Sequence, residues 1–352
     1  MAKKAKNKPA KSTRRKRRVS ALSVTVVLLI CAAAGAIGWA SLTYDAPGLD
    51  VASGPHGEEQ PTVIGKPEDE PPAAAKAKVS NDSITALTPA PDPDLVRATA
   101  NGMLPKVDAR GRLPRQVYAR PFTPDGKPLV AILVTGLGIN DGNTRLAINE
   151  LPPAVTLAFS PYGRDLQVLV DMARGRGHEV MLELPMEPDD YPANDSGPWS
   201  LLTTAPARIN LLQAEKSMAR FTGYFGVVNA MGGTFSQSDN ALRPIFQLLR
   251  QSGLMFLDRR SSKESVAIPV ADSMNLPRAY VNHWLDREPT VEAIEKQLVD
   301  LRKTAEIEGY AIGLTELYPN SAKLVTNWAK NAGAMGLSLA PVSAIINKQG
   351  RP

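Results

Sequence analysis

The chain has 352 residues, 43% of them hydrophobic, with a single cysteine and a net charge of +6. That length suits one or two domains, and a lone cysteine excludes a disulfide framework. The positive charge is local: ten basic and no acidic residues fall between Lys3 and Arg18, and beyond them 31 Lys and Arg stand against 35 Asp and Glu. The rest of the chain is therefore mildly acidic, which excludes a nucleic-acid-binding fold and makes residues 1–18 a basic tail.

From Val19 to Tyr44 no residue is charged, and the run includes Val26-Val27-Leu28-Leu29-Ile30. This is long enough for a helix to cross a hydrocarbon core of about 30 Å. Basic residues on the first flank alone predict an N-terminus in the cytoplasm and the remainder outside. The expectation is a single-pass anchor over residues 19–44 in a bacterial inner membrane, with a periplasmic C-terminal domain. A cleaved signal peptide is the alternative, but the uncharged run exceeds the usual apolar region of about 7–15 residues. Cys31 reads as an ordinary apolar residue of the span.

Residues 45–126 are rich in Pro, Ala and charge, as in Lys66-Pro67-Glu68-Asp69-Glu70-Pro71-Pro72. Such composition buries too little apolar area to offset chain entropy, so it reads as a semi-extended linker. Within it, Met103, Leu104, Val107, Leu113, Val117 and Tyr118 form a patch that either docks on the domain or continues the linker.

The pattern changes at Lys127, and residues 127–352 read as one domain. Leu129 to Val134 is a continuous apolar run, as in a buried parallel strand. Further strands are predicted over Val155–Phe159, Val180–Leu182, Gly226–Asn229, Met255–Leu257, Ala311–Leu314 and Leu337–Ala340. Helices are predicted between them over Asn143–Glu150, Asp165–Arg176, Ala207–Ala219, Asp239–Ser252 (capped by Asp239), Thr290–Ile307 (capped by Thr290) and Ser321–Asn331. Strands alternating with helices give an α/β fold with a parallel sheet and right-handed crossovers. Spacing alone allows either a barrel or an open doubly wound sheet.

In both architectures chemistry sits at the C-terminal ends of the strands. The segments there are Thr135-Gly136-Leu137-Gly138, Ser160-Pro161-Tyr162, Glu183 to Pro188, Asn229 to Gly233, Asp258-Arg259-Arg260 and Thr315-Glu316. Gly136 and Gly138 hint at dinucleotide binding, but Asp141 stands where a third glycine is needed, so a tight turn explains them better. Three histidines exist: His56 in the linker, His178 at the wrong end of its strand, and His283. That rules out a His-rich zinc site. Glu183 and Glu187 read as exposed loop acids able to hold a hard cation weakly or to share a proton. No G-x-S-x-G elbow is present.

These segments resemble those of the divergent polysaccharide deacetylase family, a branch of the NodB-type carbohydrate esterases. The resemblance runs from Pro128 to Val342 through Val130 to Gly138, Leu157 to Tyr162, Gly177-His178-Glu179-Val180, Leu184-Pro185-Met186-Glu187-Pro188, Gly226 to Gly232, Phe256 to Arg259 and Ala311-Ile312-Gly313. It implies a distorted (β/α) barrel of about seven parallel strands, carbohydrate metabolism, and a glycan partner such as peptidoglycan or another N-acetylated polysaccharide. Its context also implies cell-wall hydrolase regulators as neighbours. In catalytic relatives an Asp pair on the first strand supplies a base and a metal ligand, and histidines complete the site for zinc or a similar ion that acidifies a water. Here that pair falls on Thr135 and Gly136, and the histidines fall on Glu183, Ala230 and Thr315-Glu316. Glu187, Asp258 and Asp286 still match the family pattern. The resemblance thus implies a catalytically degenerate domain with no metal cofactor beyond a weak divalent ion at Glu183 and Glu187. The candidate catalytic residues are Glu183, Glu187 and Asp258, with Tyr162, Asn229 and Asp286 for binding. An active N-deacetylase with an altered carboxylate site is the alternative.

Overall fold

A computed structural model of the chain describes residues 85–350. The basic tail, the apolar run 19–44 and the first part of the Pro-rich stretch lie outside the described residues. Among the described residues, no helix is long and apolar enough to cross a membrane.

The described chain opens with an arm that is packed well before the compositional break at Lys127. A short 3-10 turn leads into a two-stranded antiparallel hairpin, β1 (Val96–Thr99) and β2 (Gly102–Pro105), followed by one helical turn, α1 (Pro114–Val117). Leu87, Leu95, Val96, Leu104 and Tyr118 are buried. The packed body therefore starts at least 40 residues before the boundary that composition draws. The anchors are few and separated by Pro and charge, so an averaged composition hides them.

Nine parallel strands follow: β3 (Leu129–Leu137), β4 (Thr156–Phe159), β5 (Val180–Met186), β6 (Tyr224–Met231), β7 (Met255–Asp258), β8 (Arg278–Tyr280), β9 (His283–Trp284), β10 (Tyr310–Thr315) and β11 (Ser338–Leu339). The sheet order is β8-β7-β6-β5-β4-β3-β10-β9, with β11 added to the start of β3. β8 and β9 stand at opposite edges of this order, yet only Val281 and Asn282 separate them. Val281 N–H donates to the Asp258 carbonyl on one side, and Asn282 N–H donates to the Ile312 carbonyl on the other. The two edges must therefore lie side by side, and the sheet curls into a distorted (β/α) barrel. Sequence patterning foresees seven of these strands and misses β8 and β9, which are too short to show a period.

Helices α2 (Asp141–Glu150), α3 (Leu166–Gly175), α4 (Ala207–Met218), α5 (Asp239–Gln251), α6 (Ala267–Ser273), α7 (Val291–Glu308) and α8 (Pro319–Lys330) connect the strands. Thr290 caps α7 as expected, but Ser238 caps α5, while Asp239 pairs with Arg243 one turn on. Alternate strand residues divide between two cores. Ala131, Leu133, Met181, Val228, Leu257, Ile312 and Leu314 fill the barrel, whereas Val130, Ile132, Leu157, Leu182, Val227 and Phe256 meet the helices.

The end at the strand N-termini is sealed. Leu95, Tyr118, Val342 and Ile345 join the interior core there. Arg174 of α3 donates to the carbonyls of Thr88, Tyr118 and Gly223, tying the arm to the barrel. Buried Glu179 accepts from Thr156 Oγ1, Arg120 N and Ser343 N. His178, at the wrong end of its strand for a site, is buried between the carbonyls of Val155 and Ile148, and burial pushes its pKa down to about 4. The opposite end of the barrel is not capped by these elements and opens as a cleft.

Candidate functional site

The inward parity of each strand decides what reaches the mouth. Leu133, Met181, Val228, Leu257 and Leu314 point into the barrel, so two residues later Thr135, Glu183, Ala230, Arg259 and Glu316 do the same. Trp284 of β9 packs against the same interior core. A cleft of roughly 650 Å³ opens above them, lined by Glu183, Ala230, Arg259, Trp284 and Glu316, with Asp189 and Arg287 on its rim. Three non-glycine residues at or just beyond strand ends here, Met231, Arg260 and Leu317, hold φ near +55°. Bulky residues adopt that backbone only under constraint, and such positions gather at functional sites. A larger groove of about 720 Å³ lies at the sealed end beside β11, where Asp125, Lys127, Glu150 and Lys330 line it. Those four charged residues are exposed, so nothing there is tuned by burial.

Glu183 lines the cleft and is only 5% exposed. Its Oε1 accepts from Gly136 N–H at 2.5 Å. Gly136 has φ +77°, and this left-handed turn presents that N–H. Burial pushes the Glu183 carboxyl up to about 7; Arg259 opposes the shift and Glu316 adds to it. The Arg259 guanidinium pairs with Glu316 at 3.0 Å and lies 4.5 Å from the centre of the Trp284 ring. Its backbone N–H donates to Asn229 Oδ1. Tyr318 donates to the second Glu316 oxygen at 2.5 Å, and that bond pushes its phenol up to about 12.

The structure corrects most of the expected site. Glu183 and Glu187 are buried, not exposed. Glu187 lies past the inward positions of β5, where it accepts from Thr203 N and Oγ1 and holds the loop between them. Asp258 precedes inward Arg259 and so faces outward, accepting from Ser265 Oγ and Arg260 N. Asp286 takes Thr315 Oγ1, Ser321 Oγ and Glu316 N–H, fixing the turn after β10. Asn229 donates to the Met231 carbonyl and accepts from Arg259 N–H, tying the ends of β6 and β7 together. Tyr162 packs on Trp199 with its hydroxyl accepting Trp199 N–H. It lines a separate cleft with Ile139, Asp141 and Arg145, so it is not positioned to stack on a ligand at the mouth. Of the six candidates, only Glu183 lines the cleft; Glu187, Asp258, Asp286 and Asn229 shape it from behind.

Sequence reasoning placed Arg259 and Glu316 in strand-end segments but gave them no role. Counting by two from Leu257 and Leu314 would have found both. Trp284 and Arg287 gave no such signal, because β9 has two residues. The donors at the mouth do not fit a zinc ion. Of the two inward carboxylates, Glu316 is already paired with Arg259 and Glu183 accepts from Gly136 N–H, and among the described residues no group of three or more His, Cys, Asp and Glu side chains is placed to hold a metal.

Residues 132–346 match the family described as divergent polysaccharide deacetylase. The crystal structure of uncharacterized protein ATU2773 from Agrobacterium tumefaciens C58 is 38% identical, with a TM-score of 0.68, covering 69% of this chain and 99% of that one. An uncharacterized protein of Haemophilus influenzae is 21% identical over 185 residues, which span 53% of this chain and 65% of that protein. The uncharacterized protein YibQ of Escherichia coli K12 is 20% identical over 230 residues, 62% of this chain and 67% of its own length.

Proposed function

The chain belongs to the divergent polysaccharide deacetylase family, and from that premise we propose that it binds glycan at the barrel mouth without removing acetyl groups. One observation carries this reading: Arg259 sets a fixed positive charge at the mouth, paired with Glu316 and acting through space on Glu183, the two carboxylates a catalytic metal would need as open ligands. A guanidinium is always charged and has no vacant coordination position, so it can orient an acceptor but cannot acidify water as a metal does. The apolar run 19–44 and its basic flank support an anchor that holds the barrel on the periplasmic side of the inner membrane. Peptidoglycan is then the glycan within reach, with cell-wall hydrolase regulators as neighbours on it.

A second reading rests on Glu183. A carboxyl poised near pH 7 in a cleft is what a general base requires, and Arg259 could stabilise an oxyanion beside it. The two readings separate in one experiment on the full chain, which measures binding and acetate release with N-acetylglucosamine oligomers and peptidoglycan strands. Binding without acetate is expected. Acetate release that disappears in Glu183→Gln would establish the hydrolase instead, and an absence of both binding and release would remove the glycan reading.

A further inference from the structure

The walls of the cleft differ in what their polar groups already hold. On one wall, Asp190 accepts from Asn194, and Asp189 accepts from Thr234 and Gln237. On the other wall the donors are unmatched. Arg259 is 7% exposed and uses only Nη2, on Glu316; its Nε is buried without an acceptor, and so is Trp284 Nε1. Arg287 is exposed and makes no hydrogen bond or ion pair with any described residue. Its guanidinium lies 4.9 Å from the centre of the same indole ring that Arg259 approaches at 4.5 Å. Two cations thus lean on Trp284, which leaves its π face engaged by charge and not open to a sugar ring.

We infer that the Arg259–Trp284–Arg287 wall is a carboxylate subsite, so that the glycan bound here carries an acid group. The inference rests on the glycan-binding reading and narrows its substrate class. Arginine forks match carboxylate oxygens with paired, charge-assisted hydrogen bonds, whereas a neutral sugar offers only hydroxyls and leaves Arg287 without a counter-charge. Glu316 already neutralises one of the two arginines, so the anion is drawn chiefly by Arg287, with the free Arg259 N–H groups giving direction. Asp189 on the facing wall is placed to accept from ligand hydroxyl or amide groups.

Such an acid group has two sources in glycans: a lactyl ether carboxylate on an amino sugar, or the ring carboxylate of a uronic acid. The test titrates the full chain with three tetrasaccharides: an N-acetylglucosamine oligomer, a peptide-free strand containing N-acetylmuramic acid, and a galacturonate oligomer. At least one acidic probe is expected to bind about tenfold more tightly than the neutral one, the gain of one charge-assisted bond. The preference shrinks as salt rises, and in Arg287→Gln it falls below about threefold. Arg287 is exposed, so this variant keeps the fold. Whichever acidic probe binds identifies the source. Equal binding of all three probes overturns the carboxylate subsite and leaves glycan binding intact. Binding of none removes the glycan reading, and the subsite with it.

Discussion

Replacing Glu183 with glutamine is expected to stabilise the protein by about 3 kcal/mol at pH 8 and to change nothing at pH 4. Burial raises this carboxyl from 4.5 to about 7, so between those values the folded state holds a proton that the unfolded state has released. Stability therefore falls as pH rises through that window, and the full penalty is present above pH 7. At about 1.4 kcal/mol per pKa unit the shift sets the size of the gain. Glutamine keeps an oxygen for Gly136 N–H and removes the charge, so below pH 4.5 the two proteins should coincide. Urea unfolding across the pH range measures this. A variant less stable than wild type at pH 8 would mean that the ionised carboxylate is favoured by Arg259 and that the cleft is more open to water than its geometry indicates.

Arg174→Met is expected to loosen the arm and to lower stability by about 2–4 kcal/mol. The guanidinium is buried without an acidic partner; burial lowers its pKa to about 10, and it remains a cation at neutral pH. Two effects compete. Removing it relieves a charged group held out of water, worth about 3 kcal/mol from the shift. It also deletes three charge-assisted bonds, each worth about 1.5–3 kcal/mol, and leaves the carbonyls of Thr88, Tyr118 and Gly223 without a donor. The bonds win. Hydrogen exchange gives the sharper readout, because protection should fall over residues 87–120 while β4 to β7 keep theirs. Unchanged protection in the arm would show that Leu95 and Tyr118 hold it without Arg174.

What the sequence revealed and what it hid follow from the same physics. Long apolar runs such as Leu129 to Val134 announce buried strands, and Thr290 announces a helix start, because those signals are local. The resemblance supplied the barrel, which spacing did not distinguish from an open sheet; the closure itself depends on Val281 and Asn282 joining two edges, a fact of topology. Site residues were harder to read. Glu187, Asp258 and Asp286 match the family pattern, yet each side chain is occupied in bracing a loop. Residue type and position at a strand end do not reveal which way a side chain points. Parity does, and it selects Arg259 and Glu316 over Asp258 and Thr315.

Arg259, paired with Glu316, lines the barrel mouth, and zinc binding tests most directly the proposal that this mouth holds no catalytic metal. The full chain, purified without chelator, is analysed for bound metal and then titrated with zinc while its unfolding transition is followed. The structure leads us to expect no stoichiometric metal and no shift of the transition, since a ligand that binds only the folded state must raise it. One tightly held equivalent of zinc, with a transition that rises as zinc is added and drops when it is removed, would contradict the account.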